Sequence, residues 1–240
     1  MLSLCTGIGG IDLAAQWAGI ETIAFCEINS FCQKVLRKQW PGVPIYEDIR
    51  KLRGDVFGPV DIMAAGYPCQ PYSYPGQRKG EKDDRALWPE VFKRIREIRP
   101  RWFVGENVAG HVSLGLDDVL SDMENIGYTT QPFVIPAAGV GAEHIRMRTV
   151  WVANSNGILG ETWFQFLKDR TIKIPETYPG ECLPYVRREV YSDSRTSGKN
   201  DGVPSGMDAN RIKALGNSVM PQQIYPIFKA IMEIEREWSN

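Results

Sequence analysis

The chemistry in this chain gathers around one thiol. Residues 66–80 read GYPCQPYSYPGQRKG, with Cys69 between a proline and a glutamine. A free cysteine is usually buried as a small apolar group, and a loop of glycine, tyrosine, serine and arginine suits that role poorly. Pro68 stiffens the backbone in front of the thiol, and Gly66 and Gly76 let the loop fold back. Arg78, Lys79 and Arg85 bring positive charge that favours a thiolate or meets a phosphate. Cys69 is therefore a candidate nucleophile. Glu106 in GENVAG (105–110) and Arg146 and Arg148 in HIRMR (144–148) are charged residues whose surroundings alone assign them no role. Taken alone, Glu106 reads first as a surface or capping carboxylate, and the two arginines as the solvated face of a strand.

A second group of residues suits a nucleotide-like ligand. TGIGG (6–10) stands between a first strand and a first helix. Gly7 and Gly9 allow a tight turn and a close backbone approach, and the helix start offers unpaired N–H groups. Glu27 closes a second strand, where a carboxylate can accept hydrogen bonds from a ribose diol. Asp48 in YEDIR falls at the end of a third strand, where it can accept from an adenine amino group. The spacing is GxGG, not the fuller GxGxxG of phosphate sites. Nicotinamide, flavin and methyl-donor enzymes share such a turn, and a turn with no ligand has the same sequence.

These groups need elements that bring them together. Strands are predicted at 2–5, 21–26, 60–65 and 101–105, and helices at about 11–18, 30–39, 88–99 and 116–126. Such alternation predicts an α/β fold with a parallel sheet covered on both faces. Ligands then bind beyond the carboxyl ends of the strands. Cys69 follows the strand VDIMAA and Glu106 follows RWFVG, so both face the side that carries the glycine turn. Ile224, Ile227, Phe228, Ile231, Ile234 and Trp238 line one face of a C-terminal helix. Pro226 lies within that pattern, which predicts a bend or a delayed start. Residues 154–204 lack helical periodicity and read as a small irregular lobe.

Composition narrows the classes. The chain has 240 residues, 43% hydrophobic and 24% charged, which suits one large domain or one domain with a small lobe. A net charge of -1 gives no chain-wide nucleic-acid signal, so a basic cleft must be local. Five cysteines at irregular spacing, two histidines and no CxxC pair argue against a structural metal site. They also argue, with no leader segment in view, for a reducing cytoplasm and a monomer without disulfides. No apolar run approaches the ~20 residues that span a bilayer.

In content and order these motifs resemble those of the DNA (cytosine-5)-methyltransferases. LSLCTGIGGIDLA is similar to the first family motif, GYPCQPYS to the Pro-Cys-Gln motif and GENVAG to the Glu-Asn-Val motif. HIRMR is similar to the Gln-x-Arg-x-Arg motif, and ALGNSVMPQ (214–222) to the closing Gly-Asn-Ser-Val motif. The resemblance implies a Rossmann-like S-adenosylmethionine-dependent methyltransferase fold, with a mostly parallel doubly wound sheet. It implies a catalytic domain over 1–153, a short target-recognition region over 154–204, and a segment over 205–240 that returns to the catalytic domain. On it, Cys5, Thr6, Gly7, Gly9 and Gly10 would hold S-adenosylmethionine. Glu27 with Ile28, Asp48 with Ile49, Pro68, and Asn217 with Ser218 would complete that pocket.

The implied reaction places a methyl group on C5 of cytosine in double-stranded DNA and releases S-adenosylhomocysteine. Cys69 would attack C6 and Glu106 would protonate N3. Arg148 would hold the base carbonyl, and Arg146 the base or a phosphate. Asn107 would steady the turn, and Val108 would pack beside cofactor or base. The base must be flipped from the duplex, at a cost of a few kcal/mol. PYSYPGQRKGEKDDRALW (71–88) resembles the family's loop that closes on DNA, with Gln70, Ser73 and Arg85 as contacts.

Four departures stand out. Cys5 replaces a usual aromatic residue and His144 a usual glutamine, and the ninth motif is hard to find in DGVPSGMDANRIKAL. The recognition region is also short, which predicts a short target site or help from a partner, such as a restriction endonuclease or another DNA-recognition subunit. The implied setting is a bacterial or viral protein in the cytoplasm, associated with the nucleoid when on DNA. Three other readings stay open: a tRNA cytosine-C5 methyltransferase, an inactive cofactor-binding DNA-binding module, and a nicotinamide oxidoreductase.

Overall fold

The computed structural model describes residues 1–68, 87–113, 115–142, 145–157, 159, 214 and 216–238. Seven strands form one sheet in the order β3-β2-β1-β4-β5-β7-β6. They are β1 (Leu2–Leu4), β2 (Ala24–Cys26), β3 (Ile45–Tyr46), β4 (Ile62–Ala65), β5 (Trp102–Val108), β6 (Thr129–Pro136) and β7 (Met147–Asn154). The first five run parallel. β7 runs antiparallel to both β5 and β6. The helices are α1 (Gly10–Trp17), α2 (Ser30–Gln39), α3 (Trp88–Ile98), α4 (Leu116–Asn125) and α5 (Pro221–Trp238). The expected α/β doubly wound sheet is present.

Alternation along β5 shows how the two faces are filled, because successive strand residues point to opposite sides. Trp102 and Val104 join a core with Ile11, Ala14, Val152, Ile224, Phe228 and Ile231, beneath α1 and α5. Phe103 joins the other core with Leu4, Met63, Val91, Ile95, Val119 and Met123, beneath α3 and α4. Each of the valine, leucine, isoleucine, phenylalanine and methionine side chains, fully buried, contributes about 1.5–3 kcal/mol. Gly105 faces Trp151 across the β5–β7 ladder, and a Cβ there would stand 2.1 Å from the indole ring. Only a glycine lets the indole lie over β5 at that point.

The structure departs from the sequence expectations in three places. β5 runs on through Glu106 to Val108, so Glu106 sits within the strand and not after it. The β6–β7 hairpin was not foreseen as a pair. β6 contains Pro132 and Pro136, residues that weaken a strand signal, and it tolerates them because it is the sheet's edge strand. α5 starts at Pro221 and continues through Pro226 instead of starting late. Its apolar face from Ile224 to Ile234 is buried against α1, where Trp17 meets Tyr225 edge-on at 6.1 Å, but Trp238, expected on that face, is 63% exposed at the helix end.

Asp12 fastens the first turn of the fold. It is fully buried and accepts hydrogen bonds from Ser3 Oγ at 3.0 Å and Thr22 Oγ1 at 3.1 Å. Burial pushes its pKa up to about 6, against the pull of those two hydroxyls. A raised carboxyl pKa means that the unfolded chain ionises first. The stability tied to this proton is therefore complete below the unfolded value and lost as pH rises through about 6. In urea titrations, wild type should lose up to about 3 kcal/mol relative to Asp12→Asn between about pH 4 and pH 7. Parallel stability profiles for the two proteins would contradict this.

Candidate active site

Left-handed backbone opens the site at the end of β1. Cys5, Gly7 and Gly9 have φ of 50°, 60° and 87°. Cys5 and Arg99 are the only described residues other than glycine with positive φ. The turn closes by Gly9 N–H donating to Thr6 O at 3.2 Å, and Thr6 N–H donates across to Cys26 O at 3.2 Å. Thr6 Oγ1 donates to Ser3 O at 3.1 Å, so its hydroxyl is used inside the turn. Burial raises the Cys5 thiol above its ordinary pKa, which makes it a poor nucleophile. A Cβ on Gly9 would meet Trp40 at 2.5 Å, and one on Gly10 would meet Val219 O at 2.5 Å. The residues just before α5 thus rest directly on the start of α1.

Glu27 is locked against this turn. Its Oε2 accepts from Gly7 N–H at 2.6 Å and its Oε1 from Asn29 N–H at 2.7 Å. Its own carbonyl accepts from Gln33 Nε2 at 2.7 Å. Beside it Ile28 is 69% exposed, an apolar surface unusual at a strand end. Asp48 lies two residues past β3, half-buried, and its Oδ1 accepts from Arg50 N–H at 2.9 Å. Ile49 is buried beneath it. Open space surrounds the Cβ position of Gly7. A positioned carboxylate, a bare glycine and an exposed apolar side chain fit the ribose and base of a nucleoside.

The acid centre lies at the ends of β4, β5 and β7. Arg148 Nε stands 2.8 Å from Glu106 Oε1, and both residues are at least nine-tenths buried. Glu106 pairs with Val150 and Val108 with Arg148, so the ion pair is a diagonal contact on one face of the sheet. Burial pushes the Glu106 carboxyl up to about 7, and it outweighs the opposing pull of Arg148 and Arg146. Near neutrality this group can therefore both hold and release a proton. A Cβ on Gly66 would lie 3.3 Å from Glu106 Oε2, 3.5 Å from Ile11 Cδ1 and 4.0 Å from Cys5 O. Gly66 thus joins the glycine turn to the acid, three residues before Cys69.

The other expected residues divide between contact and support. Asn107 is buried, and its Nδ2 donates to Tyr67 O at 3.3 Å while its Oδ1 accepts from Val108 N–H at 2.9 Å. Val108 is partly exposed at the rim, and Pro68 is exposed. Arg146 donates through Nη2 to Gly216 O at 2.7 Å and Ser218 O at 2.6 Å. It therefore clasps the segment that carries the exposed Asn217 and the half-buried Ser218. Gln223 tightens the same clasp. Its Nε2 donates to Arg146 O at 2.8 Å and to Ile135 O at 2.7 Å. Sequence reasoning missed Gln223, because a glutamine in the first turn of a helix carries no such signal. Cys69, Gln70, Ser73, Arg85 and His144 lie outside the described residues, as does nearly all of 154–204. Among the described residues no cluster of metal-ligating side chains occurs, and no helix is long and apolar enough to cross a membrane.

Comparison with known proteins places this geometry in context. The family model for C-5 cytosine-specific DNA methylase matches residues 1–205. A type II methyltransferase, M.CviJI of Paramecium bursaria Chlorella virus IL3A, is 33% identical over all of this chain and 61% of its own length. Another, M.NgoMIV of Neisseria gonorrhoeae, is 31% identical over 65% of this chain and 51% of its own. This chain thus spans only about half the length of such relatives. The Dnmt2 methyltransferase of S. pombe superposes over 100% of this chain and 99% of its own, at TM-score 0.66 and 15% identity. The Spodoptera frugiperda DNMT2 mutant structure covers 67% of this chain and 51% of its own, at TM-score 0.57 and 23% identity. These two structures establish the likeness of fold.

Proposed function

The chain belongs to the C-5 cytosine-specific DNA methylase family, and from that premise we propose that it methylates C5 of a flipped cytosine in DNA. The observation that carries the reading is Glu106, a buried carboxyl with a pKa near 7, beside Arg148 and Gly66 at the mouth of the glycine turn.

Glu27, Ile28, Asp48 and the turn from Cys5 to Gly10 would hold the donor, S-adenosylmethionine. When bound, that donor supplies an electrophilic methyl group on a sulfonium sulfur. Cys69 is the proposed nucleophile. Its thiolate bonds to C6 of the cytosine, the C5–C6 π electrons move toward C5, and N3 takes a proton from Glu106. Arg148 would steady the carboxylate that remains and hold the carbonyl of the base. C5 then accepts the methyl group. Loss of the C5 proton to water restores the C5–C6 double bond and breaks the S–C6 bond, which frees the thiolate, and the N3 proton returns to the Glu106 carboxylate. Arg146 acts in this reading through its clasp on Gly216 and Ser218, which keeps the closing segment on α1.

The proposed division has a catalytic unit over 1–153 and 205–240, with target recognition over 154–204. The protein is proposed to act as a monomer on DNA, and its relatives' type II label makes a companion restriction endonuclease the proposed biological partner. Transfer of labelled methyl groups to duplex DNA and to tRNA, measured side by side, tests the substrate. The expected result is label in DNA. Label in tRNA alone would overturn the proposal.

A further inference from the structure

The residue two places before the proposed nucleophile is held at both ends. Tyr67 is 5% exposed, and its hydroxyl meets His111 Nε2 at 3.2 Å. His111 is 1% exposed and follows β5 by three residues. The Tyr67 carbonyl accepts from Asn107 Nδ2, one residue past the acid. Its ring is wedged between Trp88, Trp151 and the His111 imidazole, with centroids at 5.6, 5.8 and 5.9 Å. Trp88 begins α3 and is itself tied down, donating from Nε1 to Asp122 Oδ2 at 2.7 Å.

A tyrosine in this place could be a mere filler of the core. A phenylalanine would then serve as well, since the ring contacts need no hydroxyl. The polar pair argues otherwise. Burying a hydroxyl and an imidazole in an aromatic nest is costly unless they satisfy each other. Burial also moves the His111 pKa down to about 4, so the ring stays neutral over the working range. A neutral imidazole can take the tyrosine proton or give its own, and the contact persists across neutral pH. The link joins the chain after β4 to the chain after β5, 44 residues apart. One of those stretches leads to Cys69, and the other follows directly on the strand that carries Glu106.

We propose that Tyr67 and His111 are positioning residues, whose hydrogen bond sets the Gly66–Pro68 segment against Glu106. The inference rests on the methyltransferase reading. Its worth lies in reach, because displacing a reacting group by about 1 Å can cost on the order of a hundredfold in rate.

The test measures the rate of covalent capture on duplex DNA containing 5-fluorocytosine, with S-adenosylmethionine, for four proteins. They are wild type, Tyr67→Phe, His111→Leu and His111→Gln. Donor affinity and thermal midpoint are measured in parallel. Tyr67→Phe and His111→Leu should slow capture by about tenfold to a hundredfold and leave donor affinity unchanged. His111→Gln, whose amide reaches the Nε2 position, should recover most of the rate. Capture by Tyr67→Phe at the wild-type rate would overturn the inference, as would a slowing that His111→Gln shares in full. A wild type that captures nothing would remove the methyltransferase reading and this inference with it. That outcome is distinct from wild-type and Tyr67→Phe proteins that capture equally well.

Discussion

Glu106→Gln should lower single-turnover methyl transfer by roughly 10²–10⁴-fold, the usual contribution of a positioned acid. The amide keeps the size of the side chain and can still donate a hydrogen bond, but it cannot hand a proton to N3. The pH profile should change as well. In wild type the acid form of Glu106 is lost as pH rises through about 7, while the thiolate form of Cys69 is gained. The rate should pass through a maximum and fall on the alkaline side. In Glu106→Gln that alkaline fall should vanish, leaving a slow rate that only rises with pH. Rapid-quench measurement across the pH range checks both features. A variant with wild-type rate, or with the alkaline fall retained, would count against Glu106 as the acid.

Arg148→Leu should damage the fold, and more so at high pH. The 2.8 Å contact gives the buried Glu106 its nearest positive charge. Removing one partner of a buried pair typically costs about 3–5 kcal/mol, because the other charge is stranded. Here the stranded group can take up a proton instead. Its folded pKa, already raised to about 7, should rise further. Because that pKa is raised, the stability tied to the proton is full below the unfolded value near 4.5 and is lost as pH rises through the folded value. The difference between wild type and Arg148→Leu should therefore be small in acid and grow through neutrality. Adding Glu106→Gln to Arg148→Leu should restore much of the loss. Urea unfolding at several pH values checks this, and a cost that does not vary with pH would contradict it.

How much of this was visible in the sequence depends on how local each feature is. β1, the glycine turn and α1 follow one another directly, so local apolar patterning and the glycine spacing located them. The same holds for Glu27 after β2 and for the apolar face of α5 as far as Ile234, though not for the exposed Trp238. β5 was legible except at its end. Gly105 reads as a stop, but the strand continues because a missing Cβ makes room for Trp151. That reason lies 46 residues away, since the two residues face each other across β5 and β7. The β6–β7 hairpin escaped notice because Pro132 and Pro136 disguise an edge strand. Contacts between distant stretches left no local trace. Arg146 reads as a solvated strand residue or a contact for base or phosphate, and only the fold shows its Nη2 donating to the carbonyls of Gly216 and Ser218. Tyr67 and His111 read as two unrelated residues until the parallel pairing of β4 and β5 sets their loops side by side.

The central claim is that Cys69 bonds to C6 of an extruded cytosine while Glu106 supplies the proton. Duplex DNA carrying 5-fluorocytosine tests it most directly, because fluorine at C5 cannot leave as a proton does and the adduct persists. With S-adenosylmethionine present, wild type should form a covalent protein–DNA band that survives denaturation, and peptide mapping should place the link at Cys69. Cys69→Ala should form none while still binding the donor. A band that persists in Cys69→Ala, or an active wild type that methylates DNA without ever yielding the adduct, would contradict the account.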